Sequence, residues 1–159
     1  MSVQPSKIQS SPENANYEFE FLEWPFYWLA RADRQYMLIL ERALATVGLD
    51  IPRWRVLMVL HSKTRASVSE ISDHSIVKLS TMTKIIQRMN ADGLVTSEQS
   101  SADRRVTVVS ITPKGEAAGR AASEIASRIM KQAFAQFSTD EINQLNGLLR
   151  KLTQELAIY

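Results

Sequence analysis

At 159 residues, 45% of them hydrophobic and 23% charged, the chain has the make-up of one globular domain with appended helices, not of a disordered segment. It has no cysteine and two histidines, His61 and His74, which excludes disulfides, thiolate zinc sites, cysteine nucleophiles and histidine-rich metal cages. The net charge of +2 is unevenly spread: residues 1–52 carry four Lys/Arg against seven Asp/Glu, 53–105 nine against five, and 106–159 six against five. The basic excess thus falls in the middle third. That points modestly to nucleic acid, although an ordinary solvated face would produce it too.

The opening stretch, rich in Ser, Pro, Asn and Gln, predicts a flexible arm over residues 1–24. It lacks the apolar core of a secretory leader, and no apolar run approaches the roughly 20 residues that cross a bilayer. The expectation is a cytoplasmic protein with no membrane contact. A long helix is predicted from Pro25, because proline suits a first turn. Its apolar residues Phe26, Leu29, Met37, Leu40, Leu44 and Val47 recur at helical spacing, and Gly48 is placed to end it.

A second helix is predicted from Pro52 to about Ser62. Ser67-Val68-Ser69-Glu70 fits a capping box opening a short helix to about Asp73. The next helix starts at Leu79 or Ser80, the latter a candidate N-cap, and runs to about Ala91. It sets Met82, Ile85, Ile86 and Met89 on one face and Thr81, Thr83, Lys84, Gln87 and Arg88 on the other. Leu94–Ser97 and Val106–Ile111 are rich in β-branched residues and read as a hairpin around a polar loop. Thr112-Pro113 opens a long helix to about Phe137, and Ser138–Glu141 is a second capping box. The last helix carries Ile142, Leu145, Leu149, Leu152 and Leu156 three and four apart, a narrow seam for packing against another helix.

The predicted fold class is mainly α (α+β): a winged helix-turn-helix, in which one helix enters the major groove and a hairpin reaches along the backbone. The residues Ile51–Leu57, Ser67–Ile71, Ser80–Met89 and Asp92–Val95 resemble the MarR family of bacterial transcription regulators. The most specific part is Asp103-Arg104-Arg105 with the following strand and Thr112-Pro113-Lys114-Gly115, similar to that family's wing and helix start. The likeness spans residues 25–157. Many members carry Leu-Gly before the recognition helix where this chain has Ser75-Ile76, and without glycine a positive φ is harder to reach.

The resemblance implies a homodimeric, sequence-specific regulator, a repressor relieved by a small aromatic or aryl-carboxylate effector, acting on a pseudo-palindromic double-stranded operator. It divides the chain into a dimerisation helix at 25–50, a DNA-binding body at 51–112 and C-terminal dimerisation helices at 113–159. Ser80, Thr81, Thr83, Lys84, Gln87 and Arg88 are the candidate recognition-helix contacts, since such side chains pair with base edges and phosphates. Of Arg104 and Arg105, one is implied to reach the minor groove while Asp103 and the other hold the wing. Ile142, Leu145, Leu149, Leu152 and Leu156 are the candidate dimer seam. Tyr27, Trp28, Arg31 and Trp54 are the candidate effector contacts, with core packing the competing role for these aromatics; Arg34 and Arg53 are further cations for a carboxylate. No phosphate loop, nucleophile elbow or metal-ligand spacing is present, so no cofactor, no metal and no enzyme activity are expected. The competing class is a winged-helix protein-interaction module that does not read DNA.

Overall fold

Proline, glycine and capping residues punctuate the helices largely where the sequence predicts. The computed structural model describes residues 20–158. The chain divides into two units, residues 1–34 and 35–159. Most of the expected arm, residues 1–19, lies outside the described residues; its end is a 3₁₀ turn at Phe21–Glu23. Helix α1 (Pro25–Ala45) follows, starting in the first unit and ending in the second. Near its start the Trp28 indole N–H donates to the Leu22 carbonyl at 2.7 Å.

In the second unit Gly48 takes φ +71°, and Asp50 caps α2 (Ile51–Lys63) by accepting from the Arg53 amide. Strand β1 (Arg65–Ser67) leads into α3 (Val68–Ser75), whose Ser67–Glu70 capping box is complete. Helix α4 (Leu79–Ala91) precedes strands β2 (Val95–Gln99) and β3 (Thr107–Ile111). Helices α5 (Pro113–Ala133) and α6 (Thr139–Leu156) close the chain, α5 ending four residues before the predicted Phe137.

The sheet is antiparallel with order β1-β3-β2, pairing Ala66 with Val109 and Ser97 with Val109 on the other side. The hairpin was expected, but β1 was not. Three residues are too few to show an alternating pattern, and only β3's free edge makes them a strand.

The core gathers Leu40 and Leu44 of α1, Val56, Leu57 and Leu60 of α2, Ile71 of α3, Met82 and Met89 of α4, and Val95 and Val109 of the sheet, all fully buried. At roughly 1.5–3 kcal/mol per buried aliphatic side chain, this layer supplies the body's main driving force. Gly115 explains the start of α5. A methyl group there would strike the Leu94 carbonyl oxygen, while Thr112 donates to that carbonyl at 3.0 Å and accepts from the Gly115 amide at 3.0 Å. No side chain of α6 is buried. Among the described residues no helix is long and apolar enough to cross a membrane.

Candidate nucleic-acid interface

Burial splits α4 lengthwise. Met82, Ile86 and Met89 are buried, whereas Ser80, Thr81, Thr83, Lys84, Gln87 and Arg88 are all exposed. The inward face fixes the rotation of the helix, so all six candidate contacts project outward. Lys84 and Arg88 have no hydrogen-bond or ion-pair partner among the described residues, leaving their donors free. The Thr83 hydroxyl donates back to the Leu79 carbonyl at 2.9 Å, so its oxygen faces outward as an acceptor.

The N-cap of α4 is Lys78, not Ser80, and Lys78 makes no side-chain cap. The chain is extended at Lys78 and already helical at Ser80, which puts the serine inside the first turn, too far along to cap it. By contrast Asp50, Ser67, Thr112 and Ser138 cap α2, α3, α5 and α6 with their side chains. The first N–H groups of α4 thus have no side-chain acceptor.

The turn entering α4 does reach a positive φ without glycine. Ile76 sits at φ 55°, ψ 45°. The Val77 amide donates to the Ser72 carbonyl at 3.2 Å, the Ser72 hydroxyl donates to the Val77 carbonyl at 2.6 Å, and Arg55 donates to the Ser75 carbonyl at 3.0 Å. These bonds hold the backbone in a left-handed corner that a β-branched residue disfavours.

On the wing, Asp103 accepts from the Arg105 amide at 2.9 Å and from its guanidinium at 3.2 and 3.3 Å. The Arg105 amide first, and then its guanidinium, hold the Asp103 carboxyl below its ordinary value. Arg104 is exposed and unpartnered among the described residues. Arg105, Thr83 and Gln87 line one cleft of about 330 Å³ between α4 and the wing, with Leu79 and Ile86 also on its walls. Helix and wing contacts that lie far apart in sequence are thereby brought together.

The candidate effector residues fall in both units. In the first, the Arg31 guanidinium donates to the Tyr27 hydroxyl at 3.1 Å and lies 5.4 Å from its ring centre, and Trp28 packs edge-on to Tyr27. In the second, Trp54 is buried in the core, yet its indole N–H has no hydrogen-bond partner. Arg53 is not a free cation for a ligand. It bonds Asp50 at 3.1 Å, Asp92 at 3.4 Å and the Gly48 carbonyl at 3.0 Å, tying the α1–α2 corner to the end of α4. Its reach to Asp92 has no local signal in the sequence. Among the described residues no group of three or more His, Asp or Glu is placed to hold a metal.

The MarR family model matches residues 49–107, from just before α2 to the first residue of β3. The chain is 40% identical over 150 residues to the HTH-type transcriptional repressor IacR of Pseudomonas putida, covering 94% of this chain and 90% of that one. The chain belongs to the MarR family. It is a winged helix-turn-helix transcription regulator, and its fold recurs in solved members. BpsR of Bordetella bronchiseptica, whose DNA binding is regulated by 6-hydroxynicotinic acid, superposes at TM-score 0.74 with 24% identity, covering 82% of this chain and 99% of that one. A mutant MarR of E. coli complexed with operator DNA superposes at TM-score 0.75 with 18% identity, covering 85% and 97%. At such identities these two structures speak for the fold alone.

Proposed function

We propose that this MarR-family regulator represses transcription as a homodimer, reading a two-fold-related operator and releasing it on binding a small aromatic acid. The observation that carries the DNA reading is the outward face of α4 opposite the braced wing. Thr83 and Gln87 look across one cleft at Arg105, while Lys84 and Arg88 leave their donors free. In this reading α4 lies in the major groove, with Lys84, Gln87 and Arg88 on base edges and Ser80 and Thr81 along the phosphates. Thr83, whose hydroxyl proton is held by the Leu79 carbonyl, offers the groove only an acceptor and not the phosphate donor expected of it. Asp103 holds Arg105 toward the backbone, and Arg104 enters the minor groove, where a narrow A·T tract concentrates negative potential.

The dimer rests on residues 25–50 and 113–159, flanking the DNA-binding body at 51–112. Ile142, Leu145, Leu149, Leu152 and Leu156 form an apolar stripe on a helix that fully buries none of the five and leaves Leu145 and Leu156 exposed. Half-sites then lie about 34 Å apart, one turn of the duplex.

The effector class follows BpsR's 6-hydroxynicotinic acid by relationship. In the first unit Arg31 offers an exposed guanidinium over the Tyr27 ring, with Trp28 edge-on to that same ring. Tryptophan quenching by phenolic and heteroaryl acids, repeated with Arg31→Ala and Trp28→Ala, tests the assignment; unchanged affinity in both variants rules these residues out.

The test of the DNA reading is fluorescence anisotropy on the regulator's own promoter region across a salt series. Binding should weaken linearly in log–log form as phosphates release counterions. Arg88→Ala or Gln87→Ala should cost about 1–3 kcal/mol at one base position. Arg104→Ala with Arg105→Ala should weaken binding to all sequences and lower the salt slope by about two. No binding at any salt would favour the protein-interaction module.

A further inference from the structure

Ile76 is the residue that the fold itself does not account for. It occupies a left-handed conformation, φ 55°, that glycine adopts freely and a β-branched side chain resists. The bonds that hold its corner involve backbone groups and the side chains of Ser72 and Arg55, so glycine would satisfy them equally. Its own side chain is 84% exposed. An isoleucine kept where it strains the backbone and buries little within the chain is placed for a contact outside it.

Three residues on, Leu79 opens α4 and is 51% exposed. It lines the same cleft as Thr83, Gln87 and Arg105, and Thr83 lies one turn along from it on the same side of α4. Two aliphatic side chains therefore stand at the leading end of a helix whose remaining outward face is polar and cationic. The first residues of a recognition helix are those that reach base edges. In the major groove, base pairs present donors and acceptors apart from one apolar feature, the C5-methyl group of thymine.

We infer that Ile76 and Leu79 form the apolar end of the reading surface and select thymine by its methyl group. This rests on the DNA reading above and adds a specificity determinant to the polar contacts of α4. The occupant follows from continuity with the polar contacts and from charge. Lys78 stands between the two in sequence and Arg105 lines the same cleft as Leu79, so positive charge adjoins the apolar pair, as a duplex requires and an apolar protein partner does not.

The probe is a duplex enriched from a random pool by the full-length wild-type protein, remade with deoxyuridine replacing each thymine in turn. The swap removes one methyl group and leaves every hydrogen-bonding edge intact. One or two positions per half-site should lose about fourfold in wild-type affinity, the factor expected for one methyl-sized group returned to water. Leu79→Ala should bind the thymine duplex about as weakly as wild type binds the deoxyuridine one, and should no longer distinguish them. Ile76→Gly should raise the melting temperature by relieving the left-handed strain, yet lower affinity for the thymine duplex; a merely structural role would move both the same way. Equal wild-type binding of thymine and deoxyuridine duplexes, an enriched site without thymine, or full methyl preference in both variants would overturn this inference alone. Failure to enrich any sequence would overturn the DNA reading, and this inference with it.

Discussion

Helices α4 and α6 carry the same kind of sequence and end in opposite surroundings. Both set apolar residues three and four apart: Met82, Ile86 and Met89 on α4, and Ile142, Leu145, Leu149, Leu152 and Leu156 on α6. On α4 that stripe is buried beneath α3 and the sheet, and the opposite face is exposed. On α6 no residue is fully buried: Ile142, Leu149 and Leu152 are half-buried, and Leu145 and Leu156 are still 38% and 51% exposed. Periodicity tells which face of a helix seeks cover, but not whether its own chain provides it. The contrast separates a body with a fully buried core from a helix whose apolar face its own chain leaves half-covered.

The largest effect should come from breaking the seam. Leu149→Asp with Leu152→Asp removes four leucines from a symmetric dimer, a loss of about 6 kcal/mol or more at ~1.5 kcal/mol each. Sedimentation should report monomers, specific operator binding should disappear, and the far-UV spectrum should change little because the core cluster includes no residue of α6. A variant that stays dimeric would remove α6 from the interface, and a wild type that sediments as a monomer would end the dimer.

Breaking the body instead should unfold it without touching the seam. Gly115→Ala drives a methyl group into the Leu94 carbonyl oxygen and against Ile111, where α5 leaves the wing. Backbone cannot give way as a flexible side chain would, so the cost should be about 3 kcal/mol. Urea melts should show a lower midpoint with an unchanged slope; near-wild-type stability would mean that α5 can shift along the wing.

The smallest effect concerns the α3 cap and sharpens the contrast within the body. Hydrogen bonds from the Ser67 amide and hydroxyl, and then Lys63, hold the Glu70 carboxyl down to about 2 from its ordinary 4.5. Because the folded value is depressed, the stabilisation is present above about pH 4.5 and is lost as pH falls toward 2. Glu70→Gln should lower the melting temperature slightly at pH 7 and not at pH 2, flattening the acid limb by that same small amount, as expected for an exposed cap. An unchanged acid limb would show that the bond does not persist in solution.

Much of this was legible because the signals are local. The Ser67–Glu70 and Ser138–Glu141 boxes, Pro25, Gly48 and the Thr112-Pro113 start each act within one turn of their helix, and the structure has them all. The outward face of α4 was equally readable, since burying Met82 and Met89 dictates where Lys84 and Arg88 point. Local reading failed at Ser80, where residue type suggested a cap but the corner at Ile76–Lys78 sets the cap two residues earlier, at Lys78.

The sequence by itself determined the helices, the hairpin, the family and the residues that face outward, because periodicity and capping operate over a few residues. Only the tertiary structure decided that Arg65–Ser67 is a strand, that Arg53 belongs to Asp92, that Gly115 must lack a side chain and that Asp103 takes Arg105 and leaves Arg104 free. The first three depend on groups brought together from distant parts of the chain. The last depends on the turn at the wing tip. In the first three the decisive partner is chosen by packing, and no short window of residues contains it; at the wing tip both arginines adjoin Asp103 in sequence, and the turn alone chooses Arg105.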